Sequence, residues 1–328
     1  MSPRFLIVFN ICEIQSTGHE RYIPYIESLL SQNYDNFKVI ISGCRVTNVT
    51  KQLLNETFKN KISYYYTDLF LPVNITFNRA VQCAVSKFGE FDGYMYVDSS
   101  TQFTSTNVLV EIKERFVTDN FCMISLNVDH DSGNGWWFND LNPKPKHSVI
   151  PIVTQEDFII PIGKCHNLHA QMFHNLIFKT FNNKILPDIF MGYCTESTLT
   201  FICAALNKKW VIVKDLVLHH EEKGDGQSSC NGILPEFPNK SGKHAWNHFY
   251  GGVDVESIFG TPEARNSGIG YEELCMRSAE YRFKHLDEKY CSEGFCKEPK
   301  KLEQFISQNL YLSIDKLDYN YILEEFIS

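Results

Sequence analysis

The sequence predicts an α/β fold: a mostly parallel sheet flanked by helices, followed by a loop-rich and helical C-terminal extension. Three observations carry this. From residue 4 onward, short runs rich in β-branched and aromatic residues alternate with stretches of helical apolar periodicity, the pattern of repeated βα units. Apolar residues make up 43% of the 328-residue chain, enough for a thick core. The alternation then stops, because the stretch from Gly224 to Gly268 is rich in Gly, Ser, Asn and Pro and reads as long loops. The division that follows is a first domain over 1–222 and an extension over 223–328.

The elements follow in order. Phe5 to Cys12 reads as the first strand, since it is apolar but too short to cross a membrane and has no small-residue cleavage site after it. His19 to Ser31 reads as a helix, with Tyr22, Ile26, Leu29 and Leu30 on one stripe. Strands are expected at Phe37 to Gly43, Ile62 to Thr67 and Gly93 to Val97, with helices at Val49 to Lys59 and Ile75 to Phe88 between them. Cys122 to Val128 reads as a further strand running into a Gly-rich loop that carries Trp136 and Trp137. A Pro-rich link, Asn142 to Pro151, precedes expected helices at Asn167 to Phe181 and Glu196 to Leu206, and then the β-rich run Trp210 to Leu218. Near the end Leu302, Phe305, Ile306, Leu310 and Leu312 recur with helical spacing.

The bulk numbers exclude some functions. A net charge of -8 repels a polyphosphate backbone, so nucleic acid is a poor partner. The eleven cysteines are odd in number and scattered, and Cys12, Cys44 and Cys203 sit inside apolar runs; they read as core residues of a reducing compartment. Asn-X-Thr triplets at Asn48, Asn55 and Asn74 need a secretory route that the sequence does not show, so the expected location is the cytoplasm, with no transmembrane segment.

In an open α/β sheet, ligands bind beyond the carboxyl ends of the strands. The residues there are Asn10, Glu13, Gly43, Arg45, Asp68 and the run Asp98-Ser99-Ser100. The chain has neither a Gly-X-Gly-X-X-Gly after the first strand nor a P-loop, so a bound phosphate must be held another way, and a carboxylate- and imidazole-held metal is one. By position, Asn10, Gly43 and Asp68 would face the base and ribose of a nucleotide. Trp136 and Trp137 could stack on an acceptor sugar, although tandem tryptophans also serve simply as core cover.

The segment Asn78-Arg79-Ala80 in a helix, followed by Asp92-Gly-Tyr-Met-Tyr-Val-Asp98-Ser-Ser, resembles the GT-A glycosyltransferases, nearest the large family 2 group. There an Arg-Asn or Asn-Arg pair precedes a hydrophobic strand ending in Asp-X-Asp. Downstream, Thr195-Glu196-Ser-Thr-Leu199 resembles the family's acidic motif at a helix start, and Val217-Leu-His219 its later strand ending in a metal-binding His. In the family's order these motifs cover about residues 4 to 222. Two positions depart: Ser100 stands at the second Asp of Asp-X-Asp, and Ser197 at the Asp of the Glu-Asp pair.

The resemblance implies a GT-A-like, Rossmann-type sheet and transfer of a sugar from a nucleoside diphosphate sugar, UDP-linked, to a hydroxyl acceptor, a glycan. It implies Mn2+ or Mg2+ held by Asp98 and His219, with His220 as the alternative, and with Ser100 beside them as a neutral and weaker ligand. Asn78 and Arg79 would meet the donor, and Glu196 would take the acceptor proton, with Asp188 the next residue to test. Plainer roles remain open: a cap on the turn after its strand for Asp98, and a first-turn acid favoured by the helix dipole for Glu196. Two other functions remain in view, a nucleotidyltransferase and a catalytically inactive glycosyltransferase-like binding protein.

Overall fold

A computed structural model describes residues 2–12, 19–44, 46–67, 73–118, 120–130, 137–139, 147–149, 157–163, 169–187, 195–220, 286–311 and 324–327. The first half alternates as expected. Strand β1 (Phe5–Cys12) leads through a short 3-10 turn (His19–Arg21) into α1 (Tyr22–Leu30), followed by β2 (Phe37–Cys44), α2 (Asn48–Thr57), β3 (Ser63–Thr67), α3 (Val73–Phe88) and β4 (Gly93–Asp98). Then come β5 (Thr101–Phe103), α4 (Val108–Thr118), β6 (Phe121–His130), β7 (Trp137–Asn139), β8 (His147–Val149) and β9 (Phe158–Ile159). The remaining elements are β10 (Ala170–His174), α5 (Asn175–Thr180), α6 (Thr195–Ala205), β11 (Lys209–His220), a helix α7 over 286–292, α8 (Pro299–Asn309) and β12 (Glu324–Ile327).

Ten strands form one sheet in the order β12-β3-β2-β1-β4-β10-β6-β11-β5, with β9 pairing β11 off this path. The block β3-β2-β1-β4 is parallel, as is the pair β6 and β11, whereas β10, β5, β9 and β12 run antiparallel to their neighbours. The sheet is therefore mixed, α/β and Rossmann-like. Strand β1 shows why it needs helices on both sides. Leu6 and Val8 lie in one core layer, Phe5, Ile7 and Phe9 in the other, and all five are fully buried.

One expected helix is in part a strand. The sequence predicts a helix from Asn167 to Phe181. The structure instead places β10 between β4 and β6, and a helix begins only at Asn175. A central strand covered on both faces has no polar side to alternate with, so its sequence resembles a buried helix. Met172 and Phe173 are both fully buried, on opposite layers. His174 ends the strand and starts the helix, its Nδ1 accepting from the Leu176 amide at 3.0 Å.

The described part of the C-terminal region shares this core. Leu286, Leu302, Ile306, Leu310 and Tyr311 join the same buried layer as Leu6, Val8 and Tyr94. Tyr311 stacks on Phe181 with centroids 4.7 Å apart, and its hydroxyl donates to the Ile185 carbonyl at 2.7 Å. Among the described residues no helix is long and apolar enough to cross a membrane.

Candidate metal centre

Only Ser99 and Ser100 separate β4 from β5, yet four strand spacings separate them in the sheet order. Three Cα steps reach at most about 11 Å, whereas four spacings in a flat sheet amount to about 19 Å. The sheet must curl here; β11 shifts register against β6 at Lys209/Trp210 and again at Val213/Val217, and such irregularities bend a strand. The curl carries the end of β11 back to the end of β4, and His220 meets Asp98.

Three side chains converge. Asp98 Oδ2 lies 3.5 Å from His169 Nδ1 and 3.6 Å from His220 Nε2. The two imidazoles sit with centroids 3.9 Å apart, tilted by 44°. His169 stands just before β10 and is locked to β4 by its own backbone, its carbonyl accepting from the Asp98 amide at 2.8 Å. Ser100 Oγ lies 2.9 Å from His220 Nε2 and so holds that imidazole in place. Asp98 also accepts from the Ser99 amide at 2.8 Å, the turn-capping bond that a strand-end aspartate makes.

The side chains of Asp98, His169 and His220 are 34%, 16% and 12% exposed, partly buried and still open to a ligand. Burial works against a charged Asp98, but the adjacent His169 and His220 imidazoles outweigh it and hold the carboxyl well below the usual carboxylate range. One ligand atom from each residue falls within 4.8 Å of the others, a spacing that fits one divalent ion. Two imidazoles packed this closely repel when both are protonated, whereas neutral rings present lone pairs. A set of one carboxylate and two imidazoles suits Mn2+, Fe2+, Co2+ or Zn2+, while Mg2+ favours oxygen ligands throughout.

The other expected residues fall as follows. Asn10 is level with Asp98 across the β1–β4 pair, 8% exposed, and its Nδ2 donates to the carbonyls of Val8 and Val97 at 3.2 Å each. Its Oδ1 has no hydrogen-bond partner among the described residues, which leaves a buried acceptor beside the cluster. Gly43 is tightly packed: a Cβ there would stand 2.4 Å from Val46 Cγ2 and 2.7 Å from Tyr66 Cδ1. The Asn78 amide is engaged on the segment leading to α6, donating to the Leu186 carbonyl at 2.8 Å and accepting from the Ile185 and Leu186 amides. Arg79 reaches Gln82 Oε1 at 3.5 Å.

Of the two histidines expected at the end of β11, His220 faces Asp98. Successive side chains on a strand point to opposite faces, so His219 is turned from the cluster. Glu196 lies in the first turn of α6, and Trp137 opens β7; the side chains of both, like all of Asp68, Trp136 and Asp188, lie outside the described residues. His169 is the member that sequence reasoning missed. No local spacing ties it to Asp98, and the signal that could have found it was recognition of β10 as a strand pairing β4.

Comparison with protein-family models and with curated protein sequences found no match for this chain.

Proposed function

We propose that the chain is a GT-A-type glycosyltransferase, moving a sugar from a nucleoside diphosphate sugar, UDP-linked, to a hydroxyl of a glycan acceptor. The observation that supports this reading most is the Asp98, His169 and His220 cluster at the carboxyl edge of the sheet, directly after the strand whose sequence resembles the family's donor-binding motif. These three residues would hold a divalent ion, Mn2+ in preference to Mg2+ by their donor set. That ion, when bound, offsets the negative charge that grows on the departing diphosphate.

The protein's own groups have the remaining roles. His169 and His220 keep Asp98 ionised, and Ser100 orients His220. Asn10 offers its buried Oδ1 to a donor group of the nucleotide. Asn74 and Asn78 on α3 hold residues 185–187, donating to the carbonyls of Pro187 and Leu186, and so anchor the chain that leads to α6. Glu196, in the first turn of α6, would accept the proton of the acceptor hydroxyl as the new bond forms.

Release of nucleoside diphosphate from a panel of nucleotide sugars, measured in Mn2+ and in EDTA, tests the reading. The expected result is release from a UDP-sugar that needs the metal and is lost in Asp98→Asn. Absence of both turnover and ligand-induced thermal stabilisation across the panel would refute it. Binding without turnover would favour the sugar-binding alternative.

A further inference from the structure

We propose that Cys122 and Cys203 form a cross-linking site, closing into an intramolecular disulfide that ties β6 to α6. Their Sγ atoms stand 2.9 Å apart, each residue only 1% exposed. A disulfide bond is about 2.05 Å long, so closure requires an approach of less than about 1 Å. Both residues belong to the core layer between the sheet and α6, where Leu199, Phe201 and Ile202 hold the helix down. The packing that brings the sulfurs together is thus part of the fold. Elsewhere, Cys291 and Cys296 are exposed.

The chemistry balances with a small-molecule disulfide such as oxidised glutathione as the oxidant. One protein thiol, as its thiolate, attacks a glutathione sulfur and releases one glutathione thiol; the second attacks the resulting mixed disulfide and releases the other. Two protein thiols thereby lose two protons and two electrons, and one glutathione disulfide becomes two thiols. Burial and the neighbouring Cys122 push the Cys203 thiol up, and both residues, 1% exposed, are shut away from glutathione in the folded protein. The bond therefore forms while the chain folds or when α6 lifts from the sheet. Once made, it closes a long loop and fixes the helix whose first turn carries Glu196. This inference stands whether or not the chain transfers sugars.

The test uses the full chain, unfolded and refolded in a buffer of reduced and oxidised glutathione, then alkylated under denaturing conditions and mapped by mass spectrometry. The expected product is a Cys122–Cys203 linked peptide about 2 Da lighter than the sum of its reduced halves. The oxidised protein should melt roughly 5 °C or more above the reduced one, and Cys203→Ala should show no such difference. Alkylation of both Cys122 and Cys203, in a sample where exposed Cys291 has taken up glutathione, would overturn the proposal. Linkage of either to another cysteine would also overturn it. If the variant does not fold, the map of the unaltered protein decides.

Discussion

Asp98 sits where two opposing effects meet: burial disfavours its charge, and two imidazoles favour it more strongly. A carboxylate kept ionised between two imidazoles is set to bind a cation, and the residues around it divide into ligands and bystanders. In titration calorimetry of the intact protein, Asp98→Ala, His169→Ala and His220→Ala should each lower Mn2+ affinity by at least about tenfold. His219→Ala should leave it unchanged. Equal losses in His219→Ala and His220→Ala would show that the cluster is not the ion site. Glu196 calls for a different measurement, because a general base and a helix-start acid affect different quantities. Glu196→Gln should reduce turnover by about 10² to 10⁴ if it accepts the acceptor proton, with melting temperature little changed. Near-normal turnover with a stability loss of up to about 1 kcal/mol would assign it to the helix dipole instead. Asp98 was legible in the sequence, as an acid closing an apolar strand. Its partner His169 was not, since 71 positions of chain separate them (169 − 98) and only strand pairing brings them together.

At the scale of elements, the junction of β10 and α5 depends on one neutral histidine. His174 caps α5 through Nδ1, stacks on Phe116 at 4.7 Å and has its pKa lowered by burial, with Lys208 adding to the effect and Asp92 opposing it. A base whose folded pKa lies below its unfolded value adds stability above the unfolded value, near 6.5, and loses it as pH falls through the folded one. Chemical unfolding at about pH 7.5 and about pH 5.5 should therefore show a stability loss that shrinks in His174→Asn, which keeps a capping oxygen and does not titrate. Identical pH slopes for the two proteins would remove His174 from the acid response. The parallel strands β1 to β4 were readable to within a residue or two at most of their ends, because each carries a compact apolar run bounded by polar turns. Strand β10 was not, because a strand buried on both faces lacks the period of two that distinguishes it from a helix.

For the molecule as a whole, the edges of the sheet matter most. Strand β12, from the far end of the chain, pairs antiparallel with β3 and covers the backbone edge of Tyr64, Tyr65 and Tyr66. Phe326 packs near Phe88 with centroids 6.2 Å apart, and Lys51 pairs with Glu325 at 3.3 Å. Removing residues 321–328 should expose that aromatic-rich edge, lowering the melting temperature and producing self-association in light scattering. A monomer of unchanged stability would show that β12 adds nothing. The sequence by itself determined the α/β class, the order of the first strands and helices, and the acid at the end of β4. Those features follow from local apolar periodicity and turn chemistry, which neighbouring residues carry among themselves. Only the tertiary structure decided that β10 is a strand, that His169 joins Asp98, that His220 and not His219 does so from β11, and that the last strand closes an edge of the sheet. Each of these depends on pairing between segments far apart in the chain, which leaves no local spacing to read.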